Sequence, residues 1–132
     1  MATVALCVAV VDDELPVRTA LSRLLRLSNY EVVSFPCGEA FLATLDARRP
    51  DCAILDIHMP GLTGLDVQAR LKTEHIDIPV ILITASDEFD LERQTIEAGG
   101  SRLLRKPFSN DELLAAIGAA LQRTAPRGMT HQ

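Results

Sequence analysis

Residues 4–13 read Val-Ala-Leu-Cys-Val-Ala-Val-Val-Asp-Asp, an apolar run that continues without interruption into two aspartates. The run is too short for a helix and rich in valine. Because it does not alternate with polar residues, it is typical of a strand buried on both faces of a sheet. Three more runs of this kind and one weaker run follow, at residues 30–35, 52–57, 80–84 and 101–105. The chain is therefore predicted to contain five strands of a parallel sheet.

Helical periodicity occupies the intervals between these runs. After the first run, one face of a predicted helix is apolar: Val17, Ala20, Leu21, Leu24 and Leu25. We assign the third helix an apolar face of Leu62, Leu65 and Ala69. We expect Ser109 and Glu112 to form a capping box at the start of the fifth helix. Strict alternation of strands and helices predicts an α/β fold of the flavodoxin-like (βα)5 type, a doubly wound parallel sheet of order 2-1-3-4-5.

The composition is that of one globular domain, with 132 residues of which 48% are hydrophobic and 23% charged. The net charge of −5 argues against a nucleic-acid-binding surface, which would be basic. No apolar run approaches the roughly 20 residues of a membrane span, and no basic residue precedes the first run. We therefore expect a cytoplasmic protein without direct nucleic-acid or membrane binding. Residues 1–123 would form the domain, and residues 124–132 a linker or disordered tail.

Polar residues with reactive groups lie at the carboxyl ends of the predicted strands. They are Asp12 and Asp13 after the first strand, Asp56 in the third, Thr84 at the end of the fourth and Lys106 after the fifth. Strands 1, 3, 4 and 5 are neighbours in the predicted order, and their carboxyl ends share one edge of the sheet. We therefore expect three carboxylates, one hydroxyl and one ammonium group to converge on one crevice.

One lysine cannot neutralise three acids in such a crevice. Two carboxylates about 4.5 Å apart repel each other by about 4 kcal/mol at an effective dielectric constant of roughly 20. Either one carboxyl group stays protonated or a cation binds. Carboxylate oxygens with room for water suit Mg²⁺ or Mn²⁺, so we expect one of these ions as the cofactor.

Four short motifs follow one another along the chain: Asp12-Asp13, Asp56-x-x-Met59-Pro60-Gly61-x-x-Gly64, Thr84-Ala85 and Lys106-Pro107-Phe108. In this order they resemble a bacterial two-component response-regulator receiver domain, over about residues 4–123. The similarity is greatest to receivers of the nitrogen-fixation-regulator type, which usually precede a helix-turn-helix DNA-binding domain. The resemblance implies a phosphoprotein switch that receives a phosphoryl group from a sensor histidine kinase and controls an output, which we expect to be transcription.

The resemblance also implies a role for each acid. Asp56 would be the phosphoacceptor, Asp13 would bind Mg²⁺ directly, and Asp12 would bind it chiefly through water. Asp56 and the backbone carbonyl of His58 would complete the protein ligands. Such a domain catalyses only its own phosphorylation and dephosphorylation and is not a metabolic enzyme.

The remaining motif residues are implied to form the switch. Lys106 would contact one phosphoryl oxygen and Thr84 would move to hydrogen-bond another, beside a cis Lys106-Pro107 bond. In the family, this movement is read on the surface of helix 4, strand 5 and helix 5, often through homodimer formation. The chain departs from the family pattern at Leu103, where receivers usually carry Tyr or Phe. Because leucine cannot hydrogen-bond, a switch at this position would work through packing alone.

An aspartyl-nucleophile phosphatase of the haloacid-dehalogenase type is the alternative, since it also uses an aspartate, Mg²⁺ and a lysine. That family needs a second aspartate two residues after the nucleophile, where this chain has His58, and it usually needs a cap domain. A flavodoxin-like cofactor binder is a third interpretation. Against it, the loop after strand 1 holds Asp12 and Asp13 where a bound phosphate would need glycine and hydroxyl donors.

Overall fold

The computed structural model describes residues 5–99 and 102–123. These contain five strands: β1 (Cys7–Val11), β2 (Glu31–Phe35), β3 (Cys52–Asp56), β4 (Val80–Thr84) and β5 (Arg102–Arg105). Five helices alternate with them: α1 (Leu15–Leu27), α2 (Gly38–Ala43), α3 (Gly64–Thr73), α4 (Leu91–Ala98) and α5 (Asn110–Arg123). The strands are parallel and pair in the order β2-β1-β3-β4-β5, which confirms the predicted flavodoxin-like (βα)5 fold. Predicted strand positions 4 and 101 and the predicted tail at 124–132 lie outside the described residues.

Helices cover both faces of the sheet, as the continuous apolar runs predicted. Every residue of β1, β3 and β4 is buried, whereas the edge strands β2 and β5 keep exposed positions. One face packs against α2, α3 and α4 through a core that includes Phe41, Leu71 and Leu91. The opposite face packs against α1 and α5 through a core that includes Leu25, Leu113 and Ile117. Burial of the three central strands fixes the positions of their carboxyl ends.

Two of the helix starts follow from local sequence. Pro16 lies in the first turn of α1, where its missing N–H costs no helical hydrogen bond. At α5, the Ser109 hydroxyl accepts a hydrogen bond from the Glu112 backbone N–H at 3.0 Å, and the Glu112 carboxylate accepts one from the Ser109 N–H at 2.8 Å. The predicted capping box is therefore confirmed. None of the described helices has the length and apolar character needed to cross a membrane.

The predicted apolar face of α3 is confirmed in part, because Leu65 packs against the core whereas Ala69 does not. Thr63 caps this helix through a capping box with Asp66, so the helix begins at Gly64 and Leu62 precedes it. The buried side of the helix carries Val67, Gln68 and Leu71, while Ala69 is exposed. Leu62 also packs against the core, but from the turn before the helix, and the prediction missed the core residues Val67 and Leu71.

Candidate functional site

The three predicted acids meet at one edge of the sheet. Asp12 and Asp13 follow β1, and Asp56 is the last residue of β3, the strand that pairs with β1. One carboxylate oxygen from each residue lies within 4.8 Å of the other two. The predicted convergence is therefore confirmed for the carboxylates, and the cluster has the dimensions of a cation site.

Two of the three acids in this cluster are buried. Asp12 is fully buried and Asp56 is 5% exposed, while Asp13 is exposed. One Asp12 oxygen, Oδ1, accepts a hydrogen bond from the Glu14 backbone N–H at 2.8 Å. The other, Oδ2, is buried and has no hydrogen-bond partner among the described residues. Because an unpartnered buried carboxylate oxygen is costly, this atom fits the role of a ligand to a hard cation.

The site perturbs the protonation of its acids. Burial raises the pKa of Asp12. The pKa of Asp56 is raised from 3.8 to about 6, chiefly by burial and secondly by the negative charge of Asp12. The positive charge of Lys106 opposes both pKa shifts without cancelling either. Burial, with repulsion between the acids, thus disfavours the charged carboxylates despite the lysine, and a bound cation would offset this cost.

The turn after β3 brings α3 close to Asp56. Gly61 has a φ of +76°, a backbone conformation that favours glycine. Gly64 is constrained by space instead: a Cβ there would lie 2.5 Å from the Asp56 carbonyl oxygen. The side chain of His58 is exposed, and a hydrogen bond from its backbone to the Asp56 carboxylate lowers the pKa of Asp56. The turn therefore presents backbone groups, and not a histidine side chain, to the acid.

Thr84 and Lys106 lie on the neighbouring strand ends. Thr84 is fully buried, and its hydroxyl accepts a hydrogen bond from the Ser86 backbone N–H at 3.0 Å. The Lys106 backbone N–H donates to the Thr84 carbonyl at 2.7 Å, and the Lys106-Pro107 bond is cis, as predicted. This hydrogen bond continues the β4–β5 pairing past the end of β5. It thereby holds the lysine beside the acids, where its charge acts on Asp12 and Asp56.

Strand β5 presents Leu103 and Arg105 toward α4. Leu103 pairs with Leu82 and packs, partly buried, against the core cluster that contains Leu91 of α4. Arg105 pairs with Thr84, and strand alternation places its side chain on the same face as that of Leu103. Arg105 is not among the residues that the sequence motifs single out. Its position two residues after Leu103 was the available signal that it faces the loop after Thr84.

The chain matches known proteins over most of its length. A family model described as the response regulator receiver domain matches residues 8–118. The chain is 36% identical to the phosphate regulon transcriptional regulatory protein PhoB of Pseudomonas aeruginosa, a match that covers 90% of this chain and 53% of PhoB. It is 38% identical to the response regulator MprA of Mycolicibacterium vanbaalenii, covering 90% of this chain and 52% of MprA. The chain therefore spans about half the length of these two relatives.

Solved structures agree with these matches. The crystal structure of FixJ-N superimposes with a TM-score of 0.86 at 29% identity, covering 94% of this chain and 99% of that one. The family match and the relatives favour the receiver function over the phosphatase alternative. The match includes all three acids, Thr84 and Lys106. The chain belongs to the response regulator receiver domain family.

Proposed function

We propose that this receiver domain is switched by phosphorylation of Asp56, with a sensor histidine kinase as the donor. A carboxylate oxygen of Asp56 attacks the phosphorus of the kinase phosphohistidine, the P–N bond breaks, and an acyl phosphate forms on Asp56. Asp12, Asp13, Asp56 and the backbone carbonyl of His58 would hold Mg²⁺ or Mn²⁺. The ion, when bound, supplies positive charge to the phosphoryl oxygens.

The chain's own residues complete the charge balance. Lys106 offsets charge on a second phosphoryl oxygen, as a preorganised donor does in phosphoryl transfer. The Thr84 hydroxyl hydrogen-bonds a third phosphoryl oxygen. To reach it, the hydroxyl either breaks its hydrogen bond with the Ser86 N–H or moves together with that group. The observation that best supports this proposal is that three carboxylate oxygens lie within 4.8 Å of one another. In addition, one buried oxygen of Asp12 lacks a hydrogen-bond partner among the described residues.

The test is labelling with a small phosphodonor. Acetyl phosphate with Mg²⁺ is expected to add one phosphoryl group to the wild-type chain, detected by intact mass spectrometry. Asp56→Asn is expected to abolish the addition, and Asp46→Asn, which removes an exposed acid elsewhere, is expected to leave it intact. Full labelling of Asp56→Asn would contradict the assignment. Sustained turnover of p-nitrophenyl phosphate by the wild type would favour a phosphatase instead.

We also propose how the signal leaves the domain. Phosphorylation would alter the surface formed by α4, β5 and α5 and promote pairing of two copies there. Because the relative PhoB is named a transcriptional regulatory protein, we propose transcription as the output, exerted outside the receiver. Residues 1–123 would form the receiver, and residues 124–132 a linker or disordered tail. Sedimentation with and without beryllofluoride tests pairing, and an unchanged monomer would contradict it.

A further inference from the structure

The β4–α4 loop (residues 85–90) is held by one side chain from a neighbouring strand. The Arg105 guanidinium donates to the Ser86 carbonyl at 2.7 Å and to the Glu88 carbonyl at 3.2 Å. It also donates to the Glu92 carboxylate, in the first turn of α4, at 2.8 Å. Arg105 thus contacts two loop carbonyls and the helix that follows them. Its side chain is 31% exposed, so water competes only partly for these contacts.

These contacts connect directly to the Thr84 hydroxyl. The Ser86 N–H donates to that hydroxyl at 3.0 Å, while the carbonyl of the same residue accepts from Arg105. The Ser86 hydroxyl in turn accepts from the Glu88 N–H at 3.0 Å, which closes the turn between the two carbonyls that Arg105 binds. A continuous series of hydrogen bonds therefore runs from Thr84 through Ser86 and Arg105 to Glu92 on α4.

We propose that Arg105 is a positioning residue that couples the Thr84 hydroxyl to α4 and holds the β4–α4 loop in its unphosphorylated arrangement. This inference rests on the proposed function. Leu103, on the same face of β5, packs against the core cluster that contains Leu91 of α4 but cannot hydrogen-bond, whereas Arg105 provides directed bonds to both loop and helix. When Thr84 turns toward the phosphoryl group, Ser86 must release the hydroxyl or follow it, and either movement disturbs the Arg105 contacts. Removing Arg105 therefore lowers the cost of reaching the phosphorylated arrangement.

The experiment measures binding of beryllofluoride, a phosphoryl mimic, to the full chain with Mg²⁺ by NMR titration. Arg105→Gln is expected to tighten the apparent affinity roughly threefold to tenfold, because hydrogen bonds that stabilise only the resting loop are lost. Glu92→Gln breaks the charged contact alone and is expected to shift the affinity in the same direction by less. Arg23→Gln is the matched control, since this exposed arginine of α1 lies outside the surface of α4, β5 and α5, and it is expected to change nothing.

The outcomes separate this inference from the function on which it rests. If the wild type does not bind beryllofluoride, the proposed function fails. If the wild type binds and Asp56→Asn does not, but Arg105→Gln binds unchanged or more weakly, only the role of Arg105 is overturned. A purely structural arginine would lower the urea midpoint without altering beryllofluoride affinity. If Arg105→Gln does not fold, the Glu92→Gln variant provides the test. An unchanged beryllofluoride affinity of Glu92→Gln would then overturn the proposal.

Discussion

Gly64 lies directly against the backbone of Asp56, so that a Cβ at position 64 would be 2.5 Å from the Asp56 carbonyl oxygen and 3.0 Å from a methyl carbon of Leu82. The Gly64 N–H also donates to the Ile57 carbonyl at 3.0 Å. The start of α3 and the end of β3 are thereby packed backbone to backbone. This contact fixes the backbone of Asp56 relative to the start of α3, while the pairing of β1 with β3 fixes it relative to Asp12.

Gly64→Ala is therefore expected to cost both stability and phosphorylation. A clash of this kind with backbone atoms lowers the free energy of unfolding by about 1–3 kcal/mol, which urea denaturation measures. We expect slower labelling of Asp56 by acetyl phosphate in the same variant. Gly118→Ala is the control: a Cβ there meets nothing within 4 Å, and alanine within helix α5 is expected to stabilise by about 0.5–1 kcal/mol. Equal stability changes in the two variants would show that Gly64 is not sterically constrained.

The raised pKa of Asp56 predicts a pH-dependent stability. Its pKa is about 6 in the fold against an ordinary value of 3.8, so the folded protein holds this proton more tightly than the unfolded chain. The resulting stabilisation is complete below about pH 4 and is lost as the pH rises through about 6. Asp56→Asn removes the charge, and in the absence of divalent cations it is expected to raise the free energy of unfolding by about 1–3 kcal/mol at pH 7.5. At pH 4 the gain is expected to be small.

Urea unfolding at the two pH values, in EDTA, checks this prediction. Asp46→Asn serves as the control because that acid is exposed. A gain that is the same at pH 4 and pH 7.5 would show that burial of the Asp56 charge is not its cause.

Cation binding is expected to compete with protons at the same site. Because the pKa values of Asp12 and Asp56 are both raised, protonation of these acids opposes Mg²⁺ binding as the pH falls. Calorimetric titration with Mg²⁺ is expected to give an affinity weaker by about tenfold or more at pH 5 than at pH 7.5. Asp12→Asn is expected to weaken binding at pH 7.5, whereas Asp77→Asn, at an exposed position, is not. An affinity that does not vary between these pH values would argue against this cluster as the binding site.

The residues that sequence reasoning located correctly are those whose position depends on strand ends. Asp12, Asp56 and Thr84 each terminate or follow a buried apolar run, and parallel pairing then determines their meeting point. The roles of Gly64 and Arg105 could not be obtained in this way. The first depends on the separation of two backbones, and the second on a loop conformation that brings the Ser86 and Glu88 carbonyls within reach of a neighbouring strand. The alternation of polar and apolar residues along the sequence predicts which face of an element a side chain occupies, but it does not predict these tertiary contacts.

Thr84→Val tests whether the hydroxyl transmits the signal without being needed for the chemistry. Valine keeps the shape but leaves the Ser86 N–H without its acceptor, which is expected to lower the free energy of unfolding by about 1 kcal/mol. We expect Asp56 to be labelled by acetyl phosphate still, because its attack requires the acid and the cation. Beryllofluoride-induced NMR shifts are expected to stay near Asp56 and not to extend into α4.

The matched control for this variant is Thr95→Val. Thr95 is also buried, but its hydroxyl donates to the Leu91 carbonyl within α4 and so lies outside the path from Thr84. Its shifts are expected to extend into α4 as in the wild type. If Thr84→Val transmitted the response equally well, the hydrogen-bond path through Ser86 would not carry the signal. Packing of Leu103 against the core cluster that contains Leu91 would then remain as the connection between the phosphorylation site and α4.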